Sequence, residues 1–353
     1  MSSTHTAPRA SASAPRLSAS APETVPESLP AARHRLRRAL SFEVIPPRSA
    51  AQAARMPQLL RFLDSLSPDY LAVTSSAKSD WLKGTADFIA EVTSTTSLRP
   101  LAHLACTAGT EPELLAWVDH LLQVGVRGFL AIRGDVPAGE TSVPPEHLPH
   151  ADALVSLLRR VESDNVACLA AGRLGIGVAA YPSGHPESTG PEEDLDVLAA
   201  KQRNGADFAI TQLFFDPIAY SRLRRRAEHA GITIPIIPGI LPITDARRLH
   251  TMSRLSGQPV PEHLLARFDG VSDPASARRI GLDITAEHTA AILDQEADGL
   301  HFYTFNDQNT TEDLLTALGD RGVSVSSFPP PPPPRRWPPS SATETTTEKE
   351  TRS

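Results

Sequence analysis

Short apolar runs recur along this chain at residues 40–45, 69–74, 100–106, 127–133, 174–181, 206–212, 234–240 and 299–305. Val, Ile, Leu and Ala fill them, and most carry a polar or ionisable residue at or near the C-terminal end. Continuously apolar runs of this length read as strands buried on both faces, the mark of a parallel sheet. Helix-length segments separate them, with helical spacing over 51–66, 84–92, 111–124, 192–202 and 217–229 and more than one helix within 245–295. Eight such β/α repeats predict an α/β fold of the closed (β/α)8 class, a TIM barrel. Residues 137–150 lack periodicity and read as a long loop after the fourth strand.

Such a barrel carries its chemistry at the C-terminal strand ends. Here those ends hold Glu43, Thr74, His103, Arg133 with Asp135, Tyr181 with His185, Gln212 and Tyr303. A carboxylate in an apolar strand, as in Ser41-Phe42-Glu43-Val44, either points into the lumen or salt-bridges at the rim, and position alone leaves both open. In the lumen, desolvation favours its protonated form and makes it a proton donor near neutral pH. Asp135 follows Gly134, which allows a ligand to approach the backbone closely; the alternative is a turn aspartate capping the next helix. Tyr181-Pro182-Ser183-Gly184-His185 is a rigid loop with donors and a stacking surface. Gln212 suits bidentate hydrogen bonding to a heteroaromatic ring, or a lumen amide satisfied by its neighbours. His301-Phe302-Tyr303 is suited to stacking on a flat ring.

The 353 residues carry 34 basic and 41 acidic side chains, a formal charge of −7. That balance offers no basic field for nucleic acid, and no apolar run reaches membrane-spanning length. Cys106 and Cys168 lack CxxC or Cys/His spacing and read as reduced buried thiols of a cytoplasmic protein. No HExxH pattern or paired ligand spacing suggests a metal site. A GxGxxG after a strand, a GxxxxGK[ST] loop and a GxSxG elbow are all absent. Residues 1–37 form a Ser/Ala/Pro-rich leader and 321–353 a Pro/Thr/Glu-rich tail with polyproline at 329–334. Both read as disordered, leaving 38–320 as the barrel.

In chain order, SFEVIPPR, HLAC, IRGD, AAYPSGHPE, ITQLFFD, PGILPI, FDG and HFYTFN resemble the methylenetetrahydrofolate reductase family, from Ser41 to Asn306. The resemblance implies a barrel that uses FAD and NAD(P)H, by a ping-pong mechanism, to reduce 5,10-methylenetetrahydrofolate to 5-methyltetrahydrofolate. It implies Glu43 as the acid that protonates N10 of the folate and Asp135 as a second catalytic group beside the flavin. It places Thr74, His103, Arg133, Gly134, Asp135, Ala179, Tyr181, His185, Asp194 and Lys201 at the flavin, and Glu43, Gln212 and Tyr303 at the folate. A homo-oligomer is compatible with the family. Three departures stand out: Ser75–Asp80 replace a glycine-rich loop, Met252 stands at an aromatic stacking position, and Asp307 replaces an arginine. They keep two alternatives open, a diverged flavin barrel acting on another pterin or imine and a non-catalytic folate- or flavin-binding protein.

Overall fold

The computed structural model describes residues 38–75, 81–136, 142–167, 169 and 172–323. The leader, the tail from 324, most of the departing loop (76–80) and Cys168 lie outside the described residues.

Nine strand segments lie in one parallel sheet: β1 Ala39–Val44, β2 Tyr70–Val73, β3 Pro100–Ala105, β4 Gly128–Ile132, β5 Gly175–Ala180, β6 Phe208–Thr211, β7 Ile236–Ile237, β8 Gly239–Ile240 and β9 Gly299–Tyr303. Each of the eight apolar runs supplies one barrel strand. The seventh is written in two pieces because Pro238 has no N–H to give to a ladder. Before it, β7 pairs with β6; after it, β8 pairs with β9, which in turn pairs with β1. That change of partner closes the barrel.

The outer helices are α1 Ala50–Ala53, α2 Met56–Ser65, α3 Trp81–Thr95, α4 Glu111–Gln123, α5 Ala151–Asp164, α6 Pro191–Arg203, α7 Pro217–His229, α8 Ala246–Ser256, α9 Glu262–Ala266, α10 Pro274–Asp294 and α11 Gln308–Gly319. The helical segment expected over 51–66 is broken into α1 and α2, because Pro57 sits in the first turn of α2 and cannot donate backward. At α4, Thr110 and Glu113 form a reciprocal capping box. No helix among the described residues is long and apolar enough to cross a membrane.

Strand alternation sorts β1 and β9 between two environments. Leu40, Phe42, Val44, Leu300 and Phe302 join the large core between sheet and helices, where the Phe42 and Phe302 rings stack at 5.6 Å. Ser41, Glu43, His301 and Tyr303 fall on the opposite, lumen face, in the register Ser41↔His301 and Glu43↔Tyr303. Below them a small apolar cluster of Ala72, Leu101, Leu130 and Ile210 fills the lumen. The polar pairs therefore sit on an apolar floor. Cys106 is fully buried, and burial pushes its thiol up to about 12, which leaves it unreactive.

Candidate active site

The C-terminal strand ends open into a cleft of about 1040 Å³. Glu43, Thr74, His103, Arg133, Gly134, Asp135, Ala179, Tyr181, His185, Gln212 and Tyr303 all line it. The remaining two candidates, Asp194 and Lys201 of α6, line an adjoining cleft of about 940 Å³ that shares Arg133, Ala179, Tyr181 and His185. The two spaces thus run into each other past the end of β5.

Glu43 is 16% exposed and stands between two imidazoles. His103 Nε2 lies 3.4 Å and His301 Nε2 3.6 Å from its Oε2. Neither contact is a hydrogen bond, and both ring nitrogens are buried without one. Burial lowers the His103 imidazole and outweighs the opposing attraction of Glu43, so this ring is held neutral. His301 is fully buried. The Ser41 hydroxyl donates to Leu300 O at 3.3 Å and meets His301 Nδ1 at 2.9 Å. Which group gives the proton in that contact follows from the His301 tautomer. Glu43 is therefore a lumen carboxyl, not a rim salt bridge to Arg or Lys.

Tyr303 shares that wall. Its hydroxyl donates to Thr211 O at 3.0 Å, and burial, with Glu43 nearby, drives the phenol far above its usual value. Its ring meets His301 edge-on at 5.0 Å. Gln212 Oε1 accepts from Leu213 N–H at 2.9 Å, which leaves its NH2 group and one lone pair of Oε1 for a ligand. Met252 is buried with Leu213 and Leu241 in the cluster against which Phe215 and Tyr303 pack.

At β4 the backbone turns at Gly134, with φ +83°, and a Cβ there would overlap the Thr107 hydroxyl; only glycine fits. Asp135 beyond it is exposed. Among the described residues the next helix, α5, starts at Ala151 with His150 as its N-cap, so Asp135 is not its cap. Arg133 forms a two-pronged pair with Glu187, one contact at 2.7 Å. His185 packs edge-on to Tyr181 at 4.7 Å, and its backbone N–H reaches Asp194 at 3.2 Å. Desolvation, then Arg133, lowers the His185 imidazole. Lys201 Nζ donates to Ala179 O at 2.9 Å and lies 6.0 Å from the Tyr181 ring centre. Burial lowers its ammonium to about 8, opposed by Asp152 and Asp194. A flat heteroaromatic ring suits the first cleft, and an anionic extension suits Arg133 and Lys201 in the second.

A family model described as methylenetetrahydrofolate reductase matches residues 31–319. The chain belongs to this family. The 5,10-methylenetetrahydrofolate reductase of Escherichia coli K12 is 33% identical over 283 residues, covering 80% of this chain and 91% of its own. That of Buchnera aphidicola (strain APS) is 29% identical over 280 residues, covering 79% and 91%. Among solved structures, an uncharacterized Clostridium thermocellum protein that binds two copies of 5-methyl-5,6,7,8-tetrahydrofolic acid superposes with a TM-score of 0.54. It is 14% identical and covers 81% of this chain and 96% of its own, a likeness of fold.

The sequence analysis gave no site role to Ser41, Glu187 or Asn306, and read His301 only as part of a strand suited to stacking on a flat ring. Two carried a readable signal. Ser41 and His301 each stand two residues before an assigned lumen residue, and strand alternation puts them on its face. Asp307 caps α11: its carboxylate accepts from Thr310 N at 3.0 Å and Thr310 Oγ1 at 2.6 Å.

Proposed function

We propose that this methylenetetrahydrofolate reductase family member reduces 5,10-methylenetetrahydrofolate to 5-methyltetrahydrofolate with NAD(P)H, using FAD. The observation that carries the reading is Glu43 in the barrel lumen, flanked by His103 and His301 at the head of a cleft large enough for two stacked ring systems. The site also suits the cofactor: His103 Nε2 is a buried polar atom without a hydrogen-bond partner, and two cations line the adjoining cleft. Thr74, His103, Gly134, Asp135 and Ala179 would border the flavin ring, while Arg133, Tyr181, His185, Asp194 and Lys201 would follow the rest of the molecule. Bound there, FAD carries two electrons from the nicotinamide to the folate in alternating, ping-pong turns.

The chain's own residues supply the rest. Glu43 gives its proton to N10 of the folate, which opens the five-membered ring to a cationic iminium. His103 and His301 flank the Glu43 carboxyl at 3.4 and 3.6 Å. Asp135 favours that cation electrostatically. Gln212 and Tyr303 orient the pterin, and one cleft admits nicotinamide and folate in turn. Purified protein supplied with FAD should be yellow, bleach anaerobically on addition of NADH or NADPH, and regain colour when methylenetetrahydrofolate follows. Bleaching without recovery points to another imine substrate; colour that never bleaches points to a binding protein.

Lys201 adds a pH signature. In the free protein it loses its proton as pH rises through about 8, whereas a bound diphosphate favours the ammonium. FAD affinity should then fall by up to tenfold per pH unit above about 8, since binding must take up a proton. Fluorescence titration between about pH 7 and 9.5 reads this slope. Lys201→Met should weaken binding and flatten it; an equally steep slope in the variant removes Lys201 from contact with the anion.

A further inference from the structure

The second cleft carries an adverse balance of charge for an anion. Four carboxylates line it, Asp152, Glu187, Glu193 and Asp194, against two cations, Arg133 and Lys201. A diphosphate brought there meets more negative charge than positive, and like charges at short range oppose its binding. The four carboxylates differ in what they do. Glu193 accepts from Thr189 N at 2.7 Å and from Thr189 Oγ1 at 2.6 Å. Asp194 accepts from His185 N at 3.2 Å, and Asp152 meets Asn204 Nδ2 at 3.4 Å. Those donors are neutral. Glu187 instead closes both oxygens on the Arg133 guanidinium. Among the described residues it is the one carboxylate of this cleft that forms an ion pair.

That pair is of an exchangeable kind. The Glu187 side chain is 60% exposed and that of Arg133 27%. An exposed pair is weak in net terms, because water screens it and two long side chains must be held in one geometry. The backbone beneath Glu187 is fixed by the turn that carries His185. Ser188 N–H donates to His185 O at 3.0 Å, and Glu187 N–H donates to His185 Nδ1 at 3.2 Å. The carboxylate can therefore rotate into water while the turn and the His185 ring stay where they are. Arg133 follows β4 directly and lines both clefts. A phosphate that takes the place of the carboxylate recovers the same two-pronged geometry, since both match the guanidinium fork.

We propose that Glu187 is a resident counter-ion, which holds Arg133 until a phosphorylated ligand arrives and is then displaced by it. Its carboxylate competes with the incoming phosphate for one guanidinium, and so sets the affinity and the exchange rate of that ligand. The inference rests on the flavin reading, which puts the anionic part of FAD at Arg133. Glu187 is a positioning residue on this account, since it touches Arg133 and not the reacting atoms. A glutamate that only shaped the loop would act equally on ligands with and without phosphate.

The test titrates the full chain, purified free of flavin, with FAD and with riboflavin, which lacks phosphate. Flavin fluorescence reads binding to wild type, to Glu187→Gln, which keeps length and loses charge, and to Glu187→Asp, which keeps charge on a shorter arm. FAD affinity should rise about fivefold in Glu187→Gln at low salt, the upper worth of an exposed ion pair. Stopped-flow mixing should show faster FAD association in the same variant. Riboflavin should bind wild type and variant alike, and Glu187→Asp should fall between them for FAD. The gain should shrink in about 1 M salt, where screening acts over about 3 Å. Unchanged or weaker FAD binding in Glu187→Gln overturns the proposal while leaving the flavin reading intact. An equal change for FAD and riboflavin assigns Glu187 to loop shape and overturns it as well. A wild-type protein that binds neither ligand overturns the flavin reading and this inference together.

Discussion

Glu43→Gln is expected to lower the rate of folate reduction by roughly two to four orders of magnitude, the usual worth of a positioned general acid. Reduction of bound FAD by NAD(P)H needs no proton from this residue and should stay within a few-fold of wild type. The substitution is conservative in shape. A glutamine amide fills the same space between His103 and His301, whose Nε2 lies 3.6 Å from the carboxyl. Only the transferable proton is lost. Anaerobic stopped-flow measurement of the two half-reactions separates the effects: kcat collapses with the folate step alone if Glu43 is the acid. Equal loss in both half-reactions would assign Glu43 to shaping the cleft.

Gly239→Ala should produce a large structural effect beside the cleft. A Cβ at this position would lie 2.6 Å from Thr211 O, 2.6 Å from Tyr303 Cε2 and 2.9 Å from the Tyr303 hydroxyl. The first of these is backbone in β6 and cannot swing aside. Gly239 N–H also donates to Thr211 Oγ1 at 2.9 Å, at the point where the seventh strand changes partner. One methyl group therefore strains barrel closure and pushes Tyr303 off its bond to Thr211. Overpacking of this kind costs about 1–3 kcal/mol, a fall of several degrees in Tm for a domain of this size. Folate affinity should fall with it. Gly239→Ala combined with Tyr303→Phe removes the hydroxyl but not the backbone clash, so recovery of Tm in the double variant would locate the strain at the tyrosine. A single variant with wild-type Tm would show that β6 yields where the packing says it cannot.

The architecture was legible because every run of apolar residues had to be buried on both faces, and eight such runs admit few arrangements. Local chemistry also marked the turn at Gly134. Detail was lost where one residue overrode the pattern. Pro57 splits a helix that periodicity draws as continuous, and Pro238 splits a strand. The helix α5 followed a loop whose end carried no clear cap: His150, its N-cap, makes no capping hydrogen bond. At the site, the residues named from strand ends reach one cleft because every strand is parallel, so all C-terminal ends lie together. The partners of Glu43 were less visible. Ser41 and His301 are 260 positions apart, as their hydrogen bond records, and no local pattern joins them.

The sequence by itself determined the repeating strand and helix periods, the family, and the set of side chains available at the strand ends. Those follow from short-range sterics and from which residues water excludes. Tertiary structure alone decided what each side chain faces: that Glu43 meets two imidazoles, that Gln212 folds onto its own backbone, that Asp307 caps a helix and that Glu187 closes on Arg133. Such pairings depend on distances set by barrel closure, and electrostatic and hydrogen-bond energies change steeply over an ångström or two.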